Sequence, residues 1–334
     1  MKHSGRIGIA WRTPGILASV LWQLRTQRLF LRENIQPLLD EALQNNDGSI
    51  DDRDLKKINH YYGLAAPAIT GEAFCELQGR PMSRDERLAS TCQGSMTGLF
   101  DDLFDKHHTT EARLQELVNT PADTGSGKTN ELLFTRFYRE VLQYAPDPAE
   151  IKAQLLKVHR AQEASKKQED PAITKEEIER ITLEKGGESL IFYRMAFNDR
   201  VGDPELDMLM QLGGLIQLSN DIFDLYKDRQ QGIQTLVTLT TDIRSLRTYY
   251  IQWIDRFCKM VLQADYQRGR ALRFIERFSV TVFSRCFVCL NQFEKLQKQS
   301  GGVFSPHLYT REQLVCDMDT AVNKWRSVVA HILG

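Results

Sequence analysis

The stretch from Asp203 to Gln234, DPELDMLMQLGGLIQLSNDIFDLYKDRQQGIQ, most constrains what this chain can become. Asp203 can cap a helix, and Pro204 fits its first turn. The run then stays compatible with a helix to about Asp228, and Gly232 helps to end it. On that helix Gln217, Asn220, Asp224 and Asp228 fall at i, i+3, i+7 and i+11 and form one polar stripe. Leu215, Ile216, Leu218, Ile222, Phe223, Leu225 and Tyr226 surround it. A polar stripe in so apolar a helix is costly to bury unless something satisfies it. A hard divalent cation would do so, because it takes oxygen ligands from carboxylates and amides.

A second acidic stretch, Leu99-Phe100-Asp101-Asp102-Leu103-Phe104-Asp105, lies earlier in the chain. Asp101 and Asp105 are one helical turn apart and share a face, with Asp102 to the side. An acidic helix turn alone usually marks a solvated face. Two such faces, each set among apolar residues, suggest a metal cluster across a helical cavity.

These two stretches carry a resemblance. DDLFD at 101–105 resembles the DDxxD motif of the class I isoprenoid (terpenoid) synthases. NDIFDLYKD at 220–228 resembles their second metal motif, NDxxSxxxE, with Asp224 at the Ser position and Asp228 at the Glu position. The longer pattern Q-x-x-N-x-x-x-D-x-x-x-D, from Gln217 to Asp228, is closer still to the second motif of squalene and phytoene synthases. The whole chain is similar to the bacterial large-terpene cyclases near that branch. The resemblance implies an all-α, single-domain antiparallel bundle around a central cavity. It also implies Mg²⁺, three ions with bound diphosphate, held by Asp101, Asp102, Asp105, Asn220, Asp224 and Asp228. The substrate it implies is a prenyl diphosphate. The family has a kinked helix where a backbone carbonyl and a nearby cation sense the diphosphate. Gly186-Gly187 stands at a corresponding place, so Gly187, Lys185 and Arg194 are candidates, although no Arg sits at the family's usual spacing. Gln217, Lys227 and Arg229 are further diphosphate-side candidates. Phe100, Phe104, Tyr61, Tyr62, Phe192, Tyr193 and Phe223 are candidates to face a carbocation.

Three functions follow as expectations. The first is a Mg²⁺-dependent terpene cyclase that ionises an allylic prenyl diphosphate and releases diphosphate. The second is head-to-head coupling of two prenyl diphosphates. The long Gln-to-Asp pattern favours coupling. Against it, the arginine-rich tail of phytoene synthases is here only Arg229-Gln230-Gln231-Gly232-Ile233. The third is a non-catalytic helical scaffold.

The 334 residues, 42% of them hydrophobic, are ample for a large core. The formal net charge of −1 supplies no global basic field for nucleic acid. No apolar run reaches the roughly 18–20 residues needed to span a bilayer. Arg12 and Pro14 interrupt the apolar start of the chain, which argues against a signal peptide. Six scattered cysteines, with one CxxC at Cys286 and Cys289, read as reduced thiols of a cytoplasmic protein.

Along the chain, residues 1–14 read as a flexible end and 15–44 as an amphipathic helix whose other side carries Arg25, Arg28 and Arg32. A core-packed surface helix is the first reading of it, and weak membrane docking the alternative. Residues 45–54, NNDGSIDDRD, half-match a calcium loop but have Leu43 at the first ligand position; a turn and a helix start fit better. Ser83 and Glu86 form a capping box that opens a helix to about Lys106. Gly94 and Gly98 leave one of its faces bare. Ala122 to Thr129 mimics a phosphate-binding loop, but the mechanism needs a preceding strand and EARLQELVN is helix-like. Residues 119–130 and 168–174 therefore read as surface loops. Asp105 and His108 make an isolated D-x-x-H without the second copy that a di-iron site needs. Thr174 and Glu177 form a second capping box for a helix over 175–196, interrupted at Gly186-Gly187, a costly pair inside a helix that reads as a break or a site of close approach. Helices follow near 242–264 and 266–298, then one from about Arg311 with an apolar stripe of Val315, Met318, Val322, Trp325, Val329 and Ile332. That stripe reads as core or as a homodimer interface. Thr235 to Thr241 is the one short strand-like run.

Overall fold

The computed structural model describes residues 3–105, 109–121 and 127–333, and side chains over the same ranges apart from 3–6, 104 and 105. The fold is all-α: among the described residues there is no strand. The helices of eight or more residues are α1 (His3–Phe30), α2 (Gln36–Gln44), α3 (Arg84–Asp105), α4 (Glu111–Asn119), α5 (Thr129–Tyr144) and α6 (Pro148–Ser165). They continue with α7 (Lys175–Arg194), α8 (Asp203–Gln231), α9 (Ile243–Gln263), α10 (Arg268–Phe278), α11 (Ser284–Gln299) and α12 (Ala321–Leu333). Wide π turns interrupt the helical path at Leu31–Ile35, Lys57–Tyr62, Ala66–Gly71 and Ser279–Phe283.

The chain divides into two compact units. The first comprises Met1–Leu17, Lys157–Ile191 and Gly202–Gly334, and the second Ala18–Leu156 and Phe192–Val201. In the first unit, α8 packs with α9 and α11, and α11 with α12. Phe257, Phe274, Phe278 and Phe283 form an aromatic nucleus with ring centroids 5.0–6.4 Å apart. Such edge and tilted contacts add to the burial of large apolar areas. The second unit is built on α3 against α5. Phe100, Phe134 and Tyr138 stack there in series, at 5.5 and 5.7 Å.

Several local expectations hold. The Ser83 hydroxyl accepts the Glu86 N–H at 3.1 Å while the Glu86 carboxylate accepts the Ser83 N–H at 2.9 Å, a reciprocal capping box. Beyond these expectations, Asp147 accepts the N–H groups of Ala149 and Glu150 ahead of α6. Gly232 ends α8 at φ 73°, in the left-handed region that suits glycine. Gly94 is a close-approach site: a Cβ there would lie 2.6 Å from the Tyr62 carbonyl oxygen. In the 45–54 turn, Asn46 and Asp47 accept the N–H groups of Gly48, Ile50 and Ser49, and Asp51 caps the helix at Asp52. These oxygens serve backbone donors. α4 is a helix, as the reading of EARLQELVN expected; residues 122–126 of the phosphate-loop mimic and His108 of the D-x-x-H lie outside the described residues.

Other expectations need correction. α1 begins at His3 rather than near 15, and it carries Pro14 inside it. The Thr13 hydroxyl donates to the Ile9 carbonyl at 2.7 Å and adds a bond in the turn that proline weakens. The cap of α8 is Gly202, with Asp203 already inside the first turn. The second capping box is half made: Glu177 N–H reaches Thr174, but the Glu177 carboxylate faces Arg180 and Lys167. Thr235 to Thr241 is a hydroxyl-bonded turn, with Thr235 N–H donating to Thr238 at 2.7 Å. The terminal helix breaks between Leu314 and Ala321, where Asp317 accepts the Asp319 N–H and Asn323 donates to the Asp317 carbonyl. Its apolar stripe is not core throughout, since Val322 and Trp325 are exposed. α12 instead buries Ser327 and His331, bonded to Ser284 and Ser279.

Candidate active site

Helix α8 buries Leu209, Leu212, Leu215, Leu218, Ile222 and Leu225 in the first unit. Gly213 and Gly214 interrupt this row and let α7 come in at backbone distance. A Cβ on Gly186 would lie 2.1 Å from the Gly213 carbonyl oxygen, and one on Gly187 would run into Met210. Of the break or close approach expected at Gly186-Gly187, the structure shows the close approach: α7 runs unbroken through both glycines, and the pair serves close packing.

That packing brings the Lys185 ammonium within electrostatic reach of the α8 stripe. The stripe has a member that the sequence reading left out. Asp221 is buried, its Oδ1 accepts the Gln217 amide N–H at 2.8 Å, and its Oδ2 has no hydrogen-bond partner. Burial pushes the Asp221 carboxyl up to about 7; the Gln217 bond and Lys185 pull it down, and Asp228 and Asp224 push it further up. Asp228 is raised to about 6, first by burial and then by Asp224, against Lys227 and Lys185. Asp224 and Asn220 are exposed at one edge, with Lys227 3.6 Å from Asp224. The result is a graded stripe, from a buried, proton-retaining carboxyl at Asp221 to solvated oxygens at Asn220 and Asp224. Asp221 was legible in principle: with Asp224 and Asp228 it repeats the spacing i, i+3, i+7, and it lies one turn after Gln217.

The first acidic stretch belongs to the second unit. Asp102 is buried and receives the Lys57 ammonium at 3.0 Å on both oxygens; Lys57 also lies 3.8 Å from Asp54. Asp102 is thus paired with an ammonium, and Asp101 is half-buried. The side chains of Phe104 and Asp105 lie outside the described residues.

The remaining candidates sort by surroundings. Phe100 stacks on Phe134 in the core. Arg194 is fully buried, donates to the Asp199 carbonyl at 3.0 Å and lies over the Phe74 ring. Tyr193 packs on Phe197 beside Gly71, and the Phe192 carbonyl accepts from Gln93. Tyr61 and Tyr62 are exposed on a π turn. Arg229 turns away from the stripe, donates to the carbonyls of Pro306 and Tyr309 and lies over Tyr226. Arg285 lies over the Phe223 ring at 5.4 Å. Two clefts of the second unit, one between α2 and α5 and one where Phe30 and Glu33 face Met82 and Arg84, contain none of the acidic-motif residues.

No known protein family, curated protein or solved structure matches this chain. The stripe must be judged on its own chemistry. Among the described residues no three His, Cys, Asp or Glu side chains converge into a ready-made metal cage. Mg²⁺ does not require one, since it keeps several waters and is usually bound by one or two carboxylates with substrate phosphates. An orphaned, buried Asp221 oxygen beside two further carboxylates and an exposed amide is a donor set of the right type for that ion.

Proposed function

We propose that this chain is a Mg²⁺-dependent terpene synthase that ionises an allylic prenyl diphosphate and releases diphosphate. The observation that carries the proposal is the α8 stripe, in which buried carboxylates are set in an apolar helix with Lys185 alongside. Carboxylates this crowded repel one another in a low-dielectric setting, and a cation relieves that repulsion. Asn220, Asp224 and Asp228 would hold Mg²⁺, with Asp101 and Asp105 assigned by the resemblance of the first motif. Bound there, Mg²⁺ supplies Lewis-acid neutralisation of the leaving diphosphate. Lys185 and Lys227 donate hydrogen bonds to phosphate oxygens. Gln217 orients Asp221 through its amide. The apolar residues around the stripe keep water from the cation. Chemically, the allylic C–O bond would break, its electron pair leaving with diphosphate, and the carbocation would close on its own double bonds before giving a proton to the released diphosphate.

The test is diphosphate release from geranyl, farnesyl, geranylgeranyl and longer prenyl diphosphates, with Mg²⁺ and with EDTA, and mass analysis of the hydrocarbon. Release with Mg²⁺ and unchanged carbon number is the expected result. Asn220→Ala and Asp228→Asn should each lower the rate by roughly a hundredfold or more. A doubled carbon number would favour the second reading, head-to-head coupling, which the Gln217-to-Asp228 spacing supports. No reaction and no Mg²⁺-dependent binding of any of these substrates would leave the scaffold reading.

A further inference from the structure

A surface helix normally separates its apolar and polar faces, with one towards the core and one towards water. The part of α1 in the second unit, with the π turn Leu31–Ile35 that continues it, does not. Its inner face is anchored by Val20, Gln27 and Leu31, all buried; the Gln27 amide donates to the Gly63 carbonyl and to Thr91, both at 2.8 Å. Its outer face carries Leu21 and Trp22, 67% and 64% exposed, and Leu29 at 44%. Ala18, Arg25, Arg28 and Arg32 are exposed on the same side. At about 100° per residue the six of these within α1 cover one face of roughly 120°, arginines along one flank and Trp22 and Leu29 along the other, and Arg32 follows in the π turn.

Charge says what would cover this face. The first 32 residues hold six Lys or Arg and no Asp or Glu, in a chain of net charge −1, so the rest of the chain is seven charges negative. Arg25, Arg28 and Arg32 form no ion pair among the described residues. A protein of opposite overall sign with one basic, tryptophan-bearing face can meet an anionic surface there and is repelled by it elsewhere. No described helix is long and apolar enough to cross a membrane, so an encounter with lipid would be interfacial.

We infer that the Ala18–Leu29 face of α1, with Arg32 in the π turn that follows it, docks on an anionic lipid bilayer, with Leu21, Trp22 and Leu29 in the interfacial layer and Arg25, Arg28 and Arg32 on lipid phosphates. The inference does not depend on the proposed reaction. It fits the preference of tryptophan for the water–hydrocarbon boundary and of arginine for phosphate oxygens.

The experiment is flotation of the full chain with phosphatidylcholine vesicles and with vesicles containing phosphatidylglycerol. Binding to the anionic vesicles alone, weakened by salt, is expected. Replacing Arg25, Arg28 and Arg32 together by Gln should weaken it about a hundredfold, roughly fivefold per charge. All three are exposed, so unchanged circular dichroism should accompany the loss. In a variant with Trp11, Trp253 and Trp325 replaced by Phe, Trp22 emission should shift to the blue on anionic vesicles. No binding to either vesicle overturns the inference, as does equal binding to both that the arginine variant leaves intact. Self-association of the wild-type chain that Leu21→Ser and Trp22→Ser abolish would also overturn it, by assigning the face to a second copy.

Discussion

Gly186→Ala and Gly15→Ala are the same substitution inside a helix, and the structure gives them opposite signs. A helical Gly→Ala change is worth about 0.5–1 kcal/mol of stability when the methyl group has room. At Gly15 nothing lies within 4 Å of the added Cβ, so that gain should appear in full. At Gly186 the Cβ would sit 2.1 Å from the Gly213 carbonyl oxygen and 2.5 Å from its carbon. Both obstacles are backbone, so no rotamer can move aside. The two helices would have to part by roughly 1 Å, and overpacking of this kind costs about 1–3 kcal/mol or more. Less the propensity gain, Gly186→Ala should lose about 2 kcal/mol. Urea denaturation followed by far-UV circular dichroism reads both, as a lower midpoint for Gly186→Ala and a higher one for Gly15→Ala. A Gly186→Ala protein as stable as the parent would refute the close contact of α7 with α8, and with it the placement of Lys185 beside the stripe.

Further predictions come from the charged groups and caps. Asp221 holds its proton to about pH 7 when folded and releases it near pH 4 when unfolded, so between these values the folded chain binds more protons and stability falls as pH rises. Asp221→Asn should therefore match the parent near pH 4 and exceed it by on the order of a few kcal/mol near pH 8; parallel urea midpoints at the two pH values check this, with Asp224, Asp228 and Lys185 left in place. Lys57→Met removes the ammonium from buried Asp102 and should cost about 2 kcal/mol in thermal or urea unfolding. Ser83→Ala removes half of the capping box of α3 and should cost about 1 kcal/mol, whereas Ser83→Asp should restore most of it.

Much of this fold could be read from side-chain periodicity and terminal chemistry. The all-α class, the capping box at Ser83 and Glu86 and the stop at Gly232 each follow from a local rule that tertiary packing did not override. The π turns were not legible, because an i→i+5 bond leaves no compositional mark. The break at 315–320 was hidden because Val315, Met318, Val322 and Trp325 stay in helical phase across it. At Gly186-Gly187 the intrinsic cost of paired glycines pointed to a break or to close approach without choosing between them, and contact with Gly213 decides for the second. At the stripe, counting from Gln217 picked out exposed Asn220 and Asp224 together with buried Asp228, and passed over Asp221, its most buried member. Which acidic residue on a helix is deepest depends on what packs there, and here that is α7.

The Nε of Arg12 meets Glu276 at 3.0 Å across 264 residues of chain. At about 5–20 residues per second, the ribosome adds Glu276 roughly 13–50 s after Arg12. For all that time the turns around Arg12 lack the carboxylate they pair with in the folded protein, although they belong to the unit that contains α12. The second unit likewise stays incomplete until residues 192–201 are made. A chain arrested before Glu276 should therefore be cut by trypsin at Arg12, and the released, finished protein should resist.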